Sequence, residues 1–159
     1  MRVDRLTEDD WERLRDIRLQ ALGTDPDAFG SSLDRETGFK ESHWRMRLRA
    51  SPSFLAMADG EPAGLVGAIL EPAAPLGERH LISLWVTPKR RGTGVAEALV
   101  AAVEDWARQD GATALSTWVV EGNEQAKRLY ERCGFVATDV RVPLPRDPNR
   151  VEERWLKRF

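Results

Sequence analysis

The spacing of apolar residues along this chain changes several times, and each change marks an element. Trp11, Leu14, Ile17 and Ala21 recur at helical spacing behind Thr7, a predicted N-cap, until Gly23 ends the run. A second helix is predicted over about Lys40 to Arg49, with Trp44 and Leu48 on one face and Pro52 beyond its end. Arg2–Leu6 reads as a short first strand, and residues 24–35, with Pro26 and Gly30-Ser31-Ser32, read as loop. Phe54–Ala58 and Ala63–Leu70 flank Asp59-Gly60, a hairpin signal, and Pro72–Gly77 is a second loop. The apolar strand Leu81–Val86 runs through a glycine-rich turn into a helix, Ala96–Gln109. That helix points Leu99, Ala102, Val103 and Trp106 inward and stops at Gly111. Leu115–Val120 follows as strand and Glu124–Arg132 as helix, closed by Gly134. Val136–Leu144 and Val151–Arg158 then pair around a Pro145–Arg150 loop. The order β-α-α-β-β-β-α-β-α-β-β, with no linker or repeat, predicts one α/β domain over residues 1–159.

The turn after Leu81–Val86 reads Val86-Thr-Pro-Lys-Arg-Arg91-Gly92-Thr93-Gly94-Val95-Ala96. A strand that ends in a glycine loop at a helix N-terminus presents free backbone N–H groups and the positive end of the helix dipole, a setting for a phosphate or pyrophosphate. Gly92 and Gly94 let the backbone come close to a ligand, and Lys89, Arg90 and Arg91 add charge at the rim. No Walker run is present, and Glu97 stands where the dinucleotide fingerprint needs a small residue. What remains is Arg91-x-x-Gly94-x-Ala96 behind Val-x-Pro. About thirty residues on comes Val119-Val-Glu-Gly-Asn123-Glu-Gln-Ala126-Lys-Arg-Leu129-Tyr130-Glu-Arg-Cys-Gly134-Phe135.

The first stretch resembles motif A of the GNAT family of N-acetyltransferases, which wraps the pyrophosphate of acetyl-CoA. The second resembles that family's other hallmark, an Asn before a short helix carrying Ala and Leu-Tyr, then Gly-Phe. Asp10-Trp11, the Arg18-to-Leu22 run and Asp25-Pro-x-Ala-Phe29-Gly-Ser-Ser32 resemble one bacterial branch that acts on small molecules, so the likeness covers nearly the whole chain. It implies a mixed, mostly antiparallel sheet with flanking helices, in which the strands ending at Val86 and Val120 splay apart around acetyl-CoA.

The resemblance also implies roles. The backbone from Gly92 through Thr93, Gly94 and Val95 to Ala96, with Arg91 beside it, would hold the pyrophosphate. Strand backbone at Leu84 and Val86 would take the pantetheine arm, with the Val86 N–H on the acetyl carbonyl. Asn123 and Ala126 would meet the same arm, although Asn123 also reads as a plain N-cap. Tyr130, the only tyrosine, would protonate the departing thiolate. Some relatives place a Glu six residues before the position of Val86, where this chain has His80. Glu78 lies on the same face if the strand is regular, and a water chain is the third candidate for the base. The acceptor pocket would be lined by Phe29, Ser31, Ser32, Trp44 and the Pro145–Arg150 loop, with a core reading open for the aromatics and favoured for Trp44 by its helical spacing with Leu48. Glu36, Glu41 and Glu121 are scattered acids rather than a patch for a polycation. Cys133 sits at a helix C-terminus, where the dipole raises a thiol pKa, and reads as packing.

Composition narrows the partners. Apolar residues make up 42% of 159, charged residues 31%, and the net charge is −2, so no global field draws the chain to nucleic acid or membrane. One cysteine and two histidines supply no metal cluster, and the first residues resemble no secretory signal. A cytoplasmic enzyme is expected, monomeric or homodimeric. It would move an acetyl group from acetyl-CoA to a primary amine of a small molecule by direct transfer in a ternary complex, without a metal. A protein or peptide acceptor, and a non-catalytic acyl-CoA-binding module, are the alternatives.

Overall fold

The computed structural model describes residues 1–159. Its strands are Arg2–Arg5 (β1), Ser53–Ala58 (β2), Glu61–Ile69 (β3), Glu78–Val86 (β4), Ala114–Val120 (β5), Val136–Leu144 (β6) and Asp147–Arg158 (β7). The helices are Trp11–Thr24 (α1), Leu33–Thr37 (α2), Glu41–Ala50 (α3), Val95–Gln109 (α4) and Glu124–Arg132 (α5). The predicted order is present, with two differences. The 24–35 segment, expected as loop, contains α2, whose N-cap Ser32 accepts a hydrogen bond from the Arg35 N–H at 3.2 Å. A helix of five residues is too short to register as a period. The 145–150 loop is instead a tight turn at Pro145-Arg146, with Leu144 opposite Asp147 and residues 148–150 bulged out of the β6–β7 ladder. Pro148, with no N–H to give, fits that bulge.

All seven strands form one sheet in the order β1-β2-β3-β4-β5-β7-β6. Every pair is antiparallel except β4 with β5, which are joined only from Glu78 to His80 against Ala114 to Ser116. Beyond those pairs the two strands part. The sheet carries a core on each face. α4 packs Val95, Leu99, Val100 and Val103 against Ala56, Val66, Leu81, Leu115 and Val119. α1 and α3 pack Leu14, Ile17, Leu22 and Trp44 against Leu55, Leu65 and Trp85.

Leu81 and Trp85 thus face opposite cores, although four residues along a regular strand return to the same face. The cause is a bulge. Trp85 pairs with Leu65 but Ile82 with Gly67, so β4 holds one extra residue, and Ser83 takes φ +58°. The bulge breaks the pleat where β4 begins to leave β5.

Gly64 on β3 lets α4 lie close to the sheet. A Cβ there would stand 2.9 Å from Leu99 Cδ1 and 2.9 Å from the Trp85 carbonyl oxygen. Gly64→Ala is therefore expected to cost about 1–3 kcal/mol by overpacking, read as a lower denaturation midpoint at unchanged m-value.

Candidate active site

The gap between β4 and β5 opens into a cleft of about 980 Å³ that runs across the sheet. Its first end is the glycine turn. Gly92 and Gly94 adopt φ +77° and +91°, conformations that only glycine takes without strain, and Gly94 caps α4. The first turn of α4 has no partners inside the helix for its N–H groups, which leaves them facing the cleft end. Val95 is buried in the core by its side chain, so only its backbone serves the turn, and the Thr93 hydroxyl donates to the Arg90 carbonyl. Arg91 lies across the mouth, its Nε donating to the Val86 carbonyl at 3.1 Å and its Nη2 to Asp25 Oδ2 at 2.6 Å. The same Asp25 oxygen accepts from the Trp85 indole at 2.7 Å. These donors hold its carboxyl below the ordinary range, the Trp85 bond most strongly, with burial opposing.

The middle of the cleft is lined by Leu84 and Val86 from β4 and by Thr117 to Val120 from β5. Asn123 caps α5, its side chain accepting from the Ala126 N–H at 3.1 Å, and both residues also line the cleft. Tyr130 on α5 is 6% exposed and packs edge-to-face on Phe135 with centroids 5.3 Å apart. Burial, against a hydrogen bond with Thr117, pushes its phenol up to about 12. The group therefore stays a proton donor at any physiological pH.

The far side of the cleft lies on the sheet face turned away from α4. His80 is 5% exposed there, with Nδ1 2.8 Å from Ser116 Oγ and 3.4 Å from Glu71 Oε1. Burial pushes the imidazole down to about 4; Arg154 adds to this, and Glu71 and Glu78 oppose it. The ring is therefore neutral at pH 7. Because its folded pKa lies below the ordinary 6.5, its contribution to folding is complete above about pH 6.5 and is lost as pH falls toward 4. His80→Gln is expected to flatten the acid side of the stability curve between those values, as read by denaturation at stepped pH.

A loop forms the opposite lip, with Phe29 under the Arg18 guanidinium at 4.7 Å. Arg18 makes paired hydrogen bonds to Glu36, each 3.0 Å, and reaches Ser83 Oγ at 3.3 Å. Arg47 adds a third bond to Glu36 at 3.1 Å. Burial pushes the Glu36 carboxyl up, but the Arg18 bonds, Ser31 and the two arginine charges outweigh it and bring it to about 2.

The structure brings Phe29, His80, Leu84, Val86, Arg91, Gly92, Gly94, Ala96, Asn123, Ala126 and Tyr130 to one cleft. It does not bring Glu78, Ser31 or Trp44. Glu78 is ion-paired to Arg154 outside the lining, so the same-face expectation leads to a salt bridge and not to a second base. Trp44 is 0% exposed in the α1–α3 core, and Ser31 sits behind the lip beside Glu36. Glu71, Ser116, Trp118 and Glu152 escaped sequence reading, since alternation alone gives a face and not what the face meets. No group of three or more His, Cys, Asp or Glu side chains is placed to hold a metal ion, and no helix is long and apolar enough to cross a membrane.

Solved structures share this fold across nearly the whole chain. An acetyltransferase of the GNAT family from Streptococcus pneumoniae superposes with a TM-score of 0.82 at 17% identity, covering 99% of this chain and 98% of that one. The acetyltransferase yncA of Salmonella typhimurium, solved with its cofactor acetyl-CoA, gives 0.78 at 16% identity over 99% and 93%. By sequence, the uncharacterized N-acetyltransferase YycN of Bacillus subtilis is 37% identical over 70 residues, 44% of this chain and 45% of its own. The aminoglycoside N(6')-acetyltransferase type 1 of Stenotrophomonas maltophilia is 33% identical over 106 residues, 60% of this chain and 68% of its own. The chain spans about half the length of the first of these curated relatives. Residues 11–135 match the family model itself and contain the glycine turn, both splayed strands and the tyrosine helix, so the chain belongs to the acetyltransferase (GNAT) family.

Proposed function

We propose that the protein is an acetyl-CoA-dependent N-acetyltransferase that transfers acetyl directly to a primary amine of a small molecule. The observation that carries this reading is the glycine turn at the α4 N-terminus opening into a wedge that ends beside a buried, protonated tyrosine. The turn supplies N–H groups for a pyrophosphate. The unpaired edges of β4 and β5 supply backbone partners for an amide-bearing arm. Relatives named as N-acetyltransferases and a neighbour solved with acetyl-CoA support the same ligand.

In this reading the acceptor ammonium gives up a proton, and its nitrogen attacks the thioester carbonyl carbon. The carbon–sulfur bond breaks and the thiolate takes a proton from the Tyr130 hydroxyl. The nitrogen loses its second proton as the amide forms; of the two protons it has given up, one restores the Tyr130 hydroxyl by way of solvent and one leaves to solvent overall. His80, neutral at pH 7 and too weakly basic to keep a proton, accepts a hydrogen bond on the ammonium side, directly or through water, and the proton passes on to solvent. With its pKa near 4, His80 does not set a pH limb near 6.5. His80→Gln is expected to lower kcat without moving the limb of the pH profile. Thiol release from acetyl-CoA over a panel of amines, with mass detection of product, tests the function. Release that requires an amine, with an acetylated product, supports the reading; acetyl-CoA binding without transfer to any amine opposes it.

A further inference from the structure

Most charges along the cleft are already paired within the protein. Arg18 is committed to Glu36, Arg91 to Asp25, Arg90 to Asp59 and Arg132 to Glu97, and beside His80 Arg154 is committed to Glu71 and Glu78. Glu152 on β7, Arg146 and Arg150 on the β6–β7 hairpin, and Asp27 on the opposite lip line the cleft outside any of these pairs. Arg128, also on the lining, rises from α5 on the other side.

Glu152 is the half-buried member of this set. In register it lies opposite Val120. The next pair on the same face is Arg154 with Trp118, then Leu156 with Ser116, and Ser116 in turn lies opposite His80. Glu152, Trp118 and His80 thus stand in a row on the sheet face turned away from α4. The charges that face Glu152 are Arg146 from the hairpin and Glu71 from the β3–β4 loop, with Arg150 and Arg154 on its own strand. The Trp118 indole is fixed by a 3.0 Å bond to Glu71, with the Arg154 guanidinium 5.8 Å from its ring centroid and the His80 ring edge-on to it, so the ring forms wall rather than ligand surface.

A partly desolvated carboxylate that makes no ion pair within the protein, with Arg146 near it but not bonded to it, is complementary to an ammonium group. Two uncommitted guanidinium groups at the rim of the same space are complementary to an oxyanion, carboxylate or phosphate. They repel a polycation. We propose that the acceptor is a small molecule bearing both a primary amine and an oxyanion, its ammonium received by Glu152 and its oxyanion by Arg146 and Arg150. This inference rests on the acetyltransferase reading above. It departs from the polycationic acceptor in the name of the aminoglycoside relative.

The test uses the full chain and amines that differ only at the far end: 1-pentylamine, 1,4-diaminobutane, 5-aminopentanoate and 4-aminobutyl phosphate. α-Amino acids with their decarboxylated amines, and one aminoglycoside, complete the set. Amines with an oxyanion are expected to exceed their neutral and cationic counterparts about tenfold or more in kcat/KM, and the carboxylate and phosphate arms identify which oxyanion fits. In the double variant Arg146→Ala/Arg150→Ala the ratio of acidic to neutral amine falls to about one, through KM. Glu152→Gln lowers kcat/KM for every amine, with the acetyl-CoA Kd as the control for folding. A neutral amine, diamine or aminoglycoside used best overturns the inference and leaves the acetyltransferase reading standing; so does a ratio unchanged in the double variant. Turnover of no amine, with acetyl-CoA still raising Tm, overturns both.

Discussion

Tyr130→Phe is expected to lower kcat about a hundredfold and leave the acetyl-CoA Kd unchanged, the lower end of what a lost general acid costs. The substitution removes one oxygen and leaves the ring against Phe135 in the same core. Stability falls only by the lost hydrogen bond to Thr117, about 1 kcal/mol, and the main loss is in chemistry. Direction follows from protonation. With the phenol pushed up to about 12, the donor is charged with its proton throughout the working range, so wild type shows no alkaline limb from this group below about pH 11. Pre-steady-state measurement of thiol appearance separates the effect from product release. A variant with wild-type turnover at every pH would remove Tyr130 from the proton path.

Glu36→Ala is expected to be the most damaging single change to folding, at about 3–5 kcal/mol, because it leaves the buried Arg18 without its counter-charge. Glu36 is 3% exposed and takes three arginine hydrogen bonds, so the loss is not made good by water. Acid should act on the same point. The folded carboxyl titrates at about 2 against an ordinary 4.5, so its stabilisation is complete above about pH 4.5 and is lost as pH falls toward 2. The slope of stability against pH in that window should shrink in Glu36→Gln, which keeps the shape and removes the titration. Denaturant midpoints measured at stepped pH decide it. Because Arg18 also reaches Ser83 at the bulge, Glu36→Ala should raise the KM for the acceptor more than that for acetyl-CoA.

Much of this molecule is legible before any coordinates. The order of elements, the helix faces of Leu99 and Val103, and the glycine turn all follow from local rules that one segment can express by itself. The failures share a cause. Trp44 has a helical period with Leu48, which favours the core position it holds against α1, while the pocket role comes from the resemblance and not from the spacing. His80 and Glu78 fall on one strand, but whether a carboxylate meets solvent or Arg154 depends on a strand seventy-odd residues away. The bulge at Ser83 has no glycine or proline to announce it, and the pair Arg18–Glu36 joins two helices across a segment that reads as loop. Glu152 shows the same limit, since its significance lies in the cations that pair elsewhere.

The short seam between β4 and β5 has a mechanical meaning. The strand ladder between the β1–β4 half of the sheet and the β5–β7 half runs only from Glu78 to His80. Past it the backbones part, and a few side-chain bonds near that seam, such as Thr117 to the Leu81 carbonyl and Trp118 to Glu71, are what remains. The molecule is therefore two plates riveted at one corner, with α4 as the strap beneath. A ligand seated along the open part acts as the missing rivets. Its binding free energy adds to the resistance of the whole fold to unfolding, in proportion to the logarithm of its free concentration over Kd. The amides of Leu84, Val86, Trp118 and Val120, which face the gap, should then gain the largest protection from hydrogen exchange, and the folded protein would report on its own supply of acetyl-CoA through its lifetime.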